Sequence, residues 1–174
     1  IIEFAQRLAG VGTTAGLSEQ DIIGFSTAMG SLGVTAEAGA TSFSTVMSTI
    51  DSSVTSGGEK LEEFAKISGM TVEEFKQGWE QDAGQTIVKF LEGLHKIDEQ
   101  GGDTTKVLTD MFGSSTRIRD VMLRLAGNTS LVSDALQTSN VAWEKNTALQ
   151  EEADKRYQTT ASQLEIAKNK IYNL

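Results

Sequence analysis

The chain contains no proline, and all 17 of its glycines lie at or before Gly127, so the last 47 residues hold neither residue. Proline removes a helical hydrogen bond and clashes with the preceding turn, and glycine is the next poorest helix former. A sequence arranged in this way is directed toward helices: short ones with glycine corners in the first two-thirds, then a stretch that nothing interrupts. Charge is divided as well. Residues 1–100 carry 6 basic and 15 acidic side chains, whereas residues 101–174 carry 9 of each. The whole net charge of −9 therefore sits on residues 1–100.

Apolar spacing and end signals place helices at about 2–9, 18–32, 36–55, 59–68, 72–81, 84–99, 104–112, 115–126 and 130–139. In the third segment Phe43, Val46, Met47, Ile50 and Val54 form one helical stripe, although 10 of the 16 residues from 41 to 56 are Ser or Thr. No window alternates cleanly enough to read as a strand. The expected fold is all-α: a compact multi-helix body over 1–140 and a long helix of coiled-coil character over 141–174.

The helix ends recur as a unit. Gly16-Leu17-Ser18 with Asp21 and Ile22 resembles Gly69-Met70-Thr71 with Glu74 and Phe75. Gly can take the left-handed conformation that closes one helix. Ser18 or Thr71 then caps the next, and Asp21 or Glu74 sits three residues on to complete a capping box. The apolar residue before each cap can staple to the fourth helical position, pairing Leu17 with Ile22 and Met70 with Phe75. Gly33-Val34-Thr35 starts a third copy but has Gly39 at the staple position.

Beyond Val141 the pattern has a seven-residue period. Tyr157, Leu164 and Ile171 interleave with Ala153, Thr160, Ala167 and Leu174 in steps of 3 and 4, a candidate partner-contact seam. Alanine and threonine make it a weak one, and the heptads are expected to continue beyond Leu174.

Chemical motifs are sparse. The absence of Cys excludes disulfides and thiolate metal sites, and the single His95 excludes His-rich zinc chemistry. No apolar run approaches the ~20 residues of a membrane span, and the opening residues lack the pattern of a signal peptide. Net negative charge argues against direct nucleic-acid binding, which rests on clustered Lys and Arg. Gly10-Val11-Gly12-Thr13-Thr14-Ala15-Gly16 is one residue too long for the dinucleotide fingerprint and reads as a flexible interhelical loop. Gly57-Gly58 reads as a turn opening a helix. The sequence from Asp98 to Asp103 lacks the alternating ligands of a calcium loop.

Adjacent carboxylates at Glu62/Glu63, Glu73/Glu74, Asp98/Glu99 and Glu151/Glu152 point about 100° apart on a helix, so they read as solvated faces rather than a catalytic pair. His95 reads as a boundary residue. Arg117, Arg119 and Arg124 read as pairing with acids of the body, the alternative being a patch for phosphate or an acidic partner. Trp79 and Trp143 read as core anchors, the alternative being a docking edge. No catalytic residue and no cofactor is expected.

The ordered segments resemble the core region of tail tape-measure proteins of siphophages and prophages. The resemblance rests on Phe4-Ala5-Gln6-Arg7-Leu8-Ala9, then Gly16 to Ile22, Gly33 to Gly39, Gly57-Gly58-Glu59-Lys60-Leu61-Glu62-Glu63-Phe64-Ala65-Lys66 and Gly69-Met70-Thr71. Phe90-Leu91-Glu92-Gly93-Leu94, Asn146-Thr147-Ala148-Leu149 and Ala161-Ser162-Gln163-Leu164 follow in order, while Asp110 to Thr129 matches least.

The resemblance implies a structural protein of virion assembly, which sets tail length and templates polymerisation of the tail tube. It implies the tail-tube protein, tail-tip proteins and tail assembly chaperones as partners, with location in the tube lumen and, during assembly, the host cytoplasm. It carries over no active site. Self-association through the C-terminal seam is expected from the heptads. The alternatives are a bacterial helical adaptor and a peptidoglycan-hydrolase fragment, the latter requiring convergent acids in a cleft.

Overall fold

A computed structural model describes residues 1–147 and residue 150. The chain divides into two compact units, Ile1–Ser139 and Asn140–Leu174. Among the described residues the fold is all-α, with no strand. The helices are α1 (Ile2–Thr14), α2 (Glu19–Ser31), α3 (Ala36–Ser56), α4 (Glu59–Ile67), α5 (Val72–Gln81), α6 (Ala83–Glu99), α7 (Thr104–Phe112) and α8 (Thr116–Ala126). A ninth, α9, occupies residues 129–147, so the helix expected over 130–139 does not stop at Ser139. The seam residues Ala153, Tyr157, Thr160, Leu164, Ala167, Ile171 and Leu174 lie outside the described residues.

In the first unit α3 and α6 are the two organising helices. α3 packs against α1, α4, α5 and α8, and α6 packs against α4, α5, α7 and α8. α8 therefore touches both, and it also meets α2 and α7. Two aromatic groups mark the core: Phe25 against Phe43 at 4.8 Å between ring centroids, and Phe64 at 5.3–6.0 Å from Phe75, Phe90 and Phe112. Phe43, Val46, Met47 and Ile50 of the α3 stripe are fully buried and Val54 is half-buried. On its other faces α3 tolerates its hydroxyl-rich composition by back-bonding. Thr45, Thr49, Ser53, Thr55 and Ser56 each donate to the carbonyl four residues earlier, which satisfies hydroxyls that would otherwise compete with the helix.

The corners have a common construction. At Gly16 the N–H bonds to Thr13 O at 3.2 Å while Leu17 N–H reaches back to Gly12 O at 2.9 Å. Gly16 has φ +83°, so this is a Schellman closure. The same paired bonds occur at Gly33-Val34, Gly69-Met70 and Gly101-Gly102. The fourth corner leads into Asp103, whose carboxylate accepts from Lys106 N at 2.8 Å to cap α7.

The expected loop at Gly10–Gly16 is not a loop. α1 runs through it to Thr14, and the hydroxyls of Thr13 and Thr14 bond to Ala9 O and Gly10 O. Gly12 is held in the helix by tertiary packing. A Cβ there would stand 3.0 Å from Ile22 Cγ1 and 3.5 Å from Leu17 Cδ1, so both staple residues rest on the bare face it provides. Gly39 has a similar use. Its missing side chain leaves room for the Phe4 ring and Val34, which a Cβ would approach to 2.9 Å. The staple absent from the third corner is thus replaced by a ring from α1.

Candidate functional site

The capping residues Ser18, Asp21, Thr71 and Glu74 form two complete boxes. Asp21 N–H donates to Ser18 Oγ and Ser18 N–H donates to Asp21 Oδ2, both at 3.1 Å. Glu74 N–H donates to Thr71 Oγ1 at 3.2 Å, and Thr71 N–H donates to Glu74 Oε2 at 2.8 Å. The Thr71 backbone N–H, and after it the Thr71 hydroxyl, hold the Glu74 carboxyl below its ordinary range. Asp21 has a second role, for Gly84 in the first turn of α6 leaves room for its carboxylate: a Cβ there would stand 2.7 Å from Asp21 Cγ. A carboxylate against a helix N-terminus is a favourable arrangement. These residues are structural corners.

The remaining candidates separate. Trp79 is buried in the core, and its indole N–H donates to Asp51 Oδ1 at 3.3 Å. Trp143 is not a core anchor: it is 38% exposed, and nearby Val141 is 42% exposed, both in the second unit. Apolar spacing marks a face without saying whether anything in the same chain covers it, which is why sequence alone misassigns this residue. His95 is half-buried, 3.5 Å from Glu99. Arg124 bonds Asp120 and the carbonyl of Leu32, and Arg119 donates to Thr109 Oγ1. Two of the three arginines are therefore committed to the body, only one of them through an acid.

A crease of about 620 Å³ lies between α4 and α6, with Val107 of α7 at its side. Its apolar floor includes Ile67, Ile97 and Val107, all half-buried. Glu59, Glu62 and Glu63 line the α4 wall, and Lys89 and Lys96 line the α6 wall. Glu62 and Glu63 read from the sequence as a solvated face, and all five of these charges are exposed. What sequence reasoning missed is that they border one depression. The only advance signal is the seven-residue interval from Lys89 to Lys96, which returns a helix to the same face.

The crease gathers four carboxylates, including Glu92, but all are exposed to solvent. Among the described residues no group of three or more His, Cys, Asp or Glu side chains is placed to hold a metal ion. No described helix is long and apolar enough to cross a membrane. No protein-family model matches the chain, and neither a curated protein nor a solved structure matches it.

Proposed function

We propose that this chain is part of a phage tail tape-measure protein, acting through helical protein–protein contacts rather than catalysis. The observation that carries the reading is the ordered resemblance of its segments, from Phe4–Ala9 through the glycine corners to Ala161–Leu164. Two further features support it. The first unit is a helical body with four Schellman corners and close glycine-mediated crossings, as suits a docking module. Helix α9 then leads into a stretch without glycine or proline that carries heptads, as suits a rod. In this reading the tail-tube protein, tail-tip proteins and assembly chaperones are the partners, and the tube lumen is the destination.

The test is tail length, measured by electron microscopy after in-frame deletion of heptad sequence C-terminal to Leu174 in the parent gene. A helical ruler shortens the tail by about 1.5 Å per deleted residue, so about 70 residues remove roughly 100 Å. Tails of unchanged length with normal assembly would remove the ruler role and leave a helical adaptor as the reading to pursue.

A further inference from the structure

We infer that the crease between α4 and α6 is a docking groove for one amphipathic helix of a partner protein. That helix carries basic residues along one edge of its apolar stripe and acidic residues along the other. The inference rests on the groove alone and stands whether or not the tail reading does.

The shape comes first. α4 has nine residues, about 14 Å of helix, which matches an i, i+3/i+4, i+7 set of apolar anchors on a docked helix. Ile67 and Ile97 provide the floor for such anchors, and Gly93 lets the two walls converge beneath it.

Charge then selects the occupant. The α4 wall presents Glu59, Glu62 and Glu63, and the α6 wall presents Lys89 and Lys96. Lys66 and Glu92 stand against the trend, one turn from Glu62 and Lys96 on their own helices. Elsewhere in the described residues, four of the five opposite-charge pairs spaced four apart close ion pairs: Glu3–Arg7, His95–Glu99 (when protonated), Lys106–Asp110 and Asp120–Arg124 do, and Lys76–Glu80 does not. Among the described residues none of the charges bordering the crease closes such a pair, although Glu62–Lys66 and Glu92–Lys96 have the same spacing. The α4 wall is net acidic and the α6 wall net basic, so a helix laid between them meets complementary charge best with its basic edge over α4 and its acidic edge over α6. Rim charges of this kind set orientation and partner choice.

The experiment is selection of a library of helical peptides on the full 174-residue chain, followed by fluorescence anisotropy of the enriched sequences. The peptides share leucine at heptad positions a and d and vary only between Lys and Glu at e and g. Enrichment of peptides with Lys on one edge and Glu on the other is expected, with binding weakened by salt. Reversing the α6 wall with Lys89→Glu and Lys96→Glu should weaken the selected peptide about tenfold and move the preference to Lys on both edges. Both positions are exposed, and unchanged helicity and melting temperature would verify the fold.

Enrichment of all-Lys peptides on the unaltered chain would indicate attraction to net charge alone and overturn the inference. Binding indifferent to the double reversal, as binding to the heptads at 153–174 would be, overturns it equally. So does the absence of any enrichment.

Discussion

Replacing Gly93 by alanine tests how closely α4 and α6 cross. Gly93 lies inside α6, where alanine is intrinsically the better residue by about 1 kcal/mol. Propensity alone therefore predicts stabilisation. The structure predicts the opposite. A Cβ at this position would stand 2.6 Å from the Ile67 carbonyl carbon and 3.1 Å from its Cγ2, with the Ile67 oxygen closer still. An ordinary carbon–carbon contact is about 3.5–4.0 Å, so α4 must withdraw by about 1 Å.

The obstacle is backbone, which cannot rotate aside as a flexible side chain would. α4 is also held at both ends, by the Gly57-Gly58 turn and the Gly69 closure, and through its middle by Phe64 among three other rings. Overpacking of this kind costs about 3 kcal/mol or more. Net of the propensity gain, Gly93→Ala should lose about 2–3 kcal/mol, a fall in melting temperature of roughly 6–10 °C for a unit of this size. Gly10→Ala is the matched comparison. It lies inside α1, is exposed, and a Cβ there meets nothing within 4 Å. It should gain about 0.5–1 kcal/mol. Thermal melts followed by circular dichroism measure both. If Gly93→Ala melts at or above the parent temperature, α4 and α6 do not cross this closely and the packing account of the helical glycines is wrong.

Other outcomes follow from single contacts. Ser18→Ala removes the α2 cap and should cost about 1 kcal/mol in urea unfolding, whereas Ser18→Asp should retain most of it. Because its contacts with Thr71 lower the folded pKa of Glu74 from the ordinary 4.5, the box stabilises fully above that unfolded value and less as pH falls through the folded one. NMR titration should show the Glu74 midpoint rising in Thr71→Val; a midpoint already at 4.5 in the parent would contradict the box. Ser42 Oγ is buried without a hydrogen-bond partner among the described residues, so Ser42→Ala should be neutral or stabilising by up to about 1 kcal/mol; clear destabilisation would reveal an acceptor that the structure does not show. If the heptads at Tyr157, Leu164 and Ile171 form a seam between copies, sedimentation should show concentration-dependent association that Leu164→Glu abolishes, and a strictly monomeric chain with its downstream heptads present would exclude the seam.

What could be read in advance was the local chemistry of helix ends. Gly16, Ser18 and Asp21 act on atoms within a few residues of themselves, so their spacing in sequence already specifies the bonds they make. The same holds for Gly69, Thr71 and Glu74 and for the apolar stripe of α3. The corner at Gly101-Gly102-Asp103 was missed because its second residue has no side chain. The apolar contact that flags the other corners is therefore absent, and only the closing bonds from Gly101 to Asp98 O and Gly102 to Ile97 O reveal it.

The interior glycines resist sequence reading for a different reason. Gly16 is marked by the Leu17, Ser18 and Asp21 that follow it and turns the chain at φ +83°, whereas nothing beside Gly12 announces that it stays helical with Ile22 packed on its bare face. Its use is set by packing against another helix. Gly24 beneath Leu136, Gly84 beneath Asp21 and Gly93 beneath Ile67 are the same case at separations of roughly 26 to 112 residues. The candidate groove shares this property: Glu59, Glu62 and Glu63 acquire meaning only when Lys89 and Lys96 stand across from them. Glycine thus serves this fold twice, closing helices where the chain must turn and removing side chains where helices must cross. The second use brings α4 and α6 close enough for two ordinary charged faces to become opposite walls of one groove.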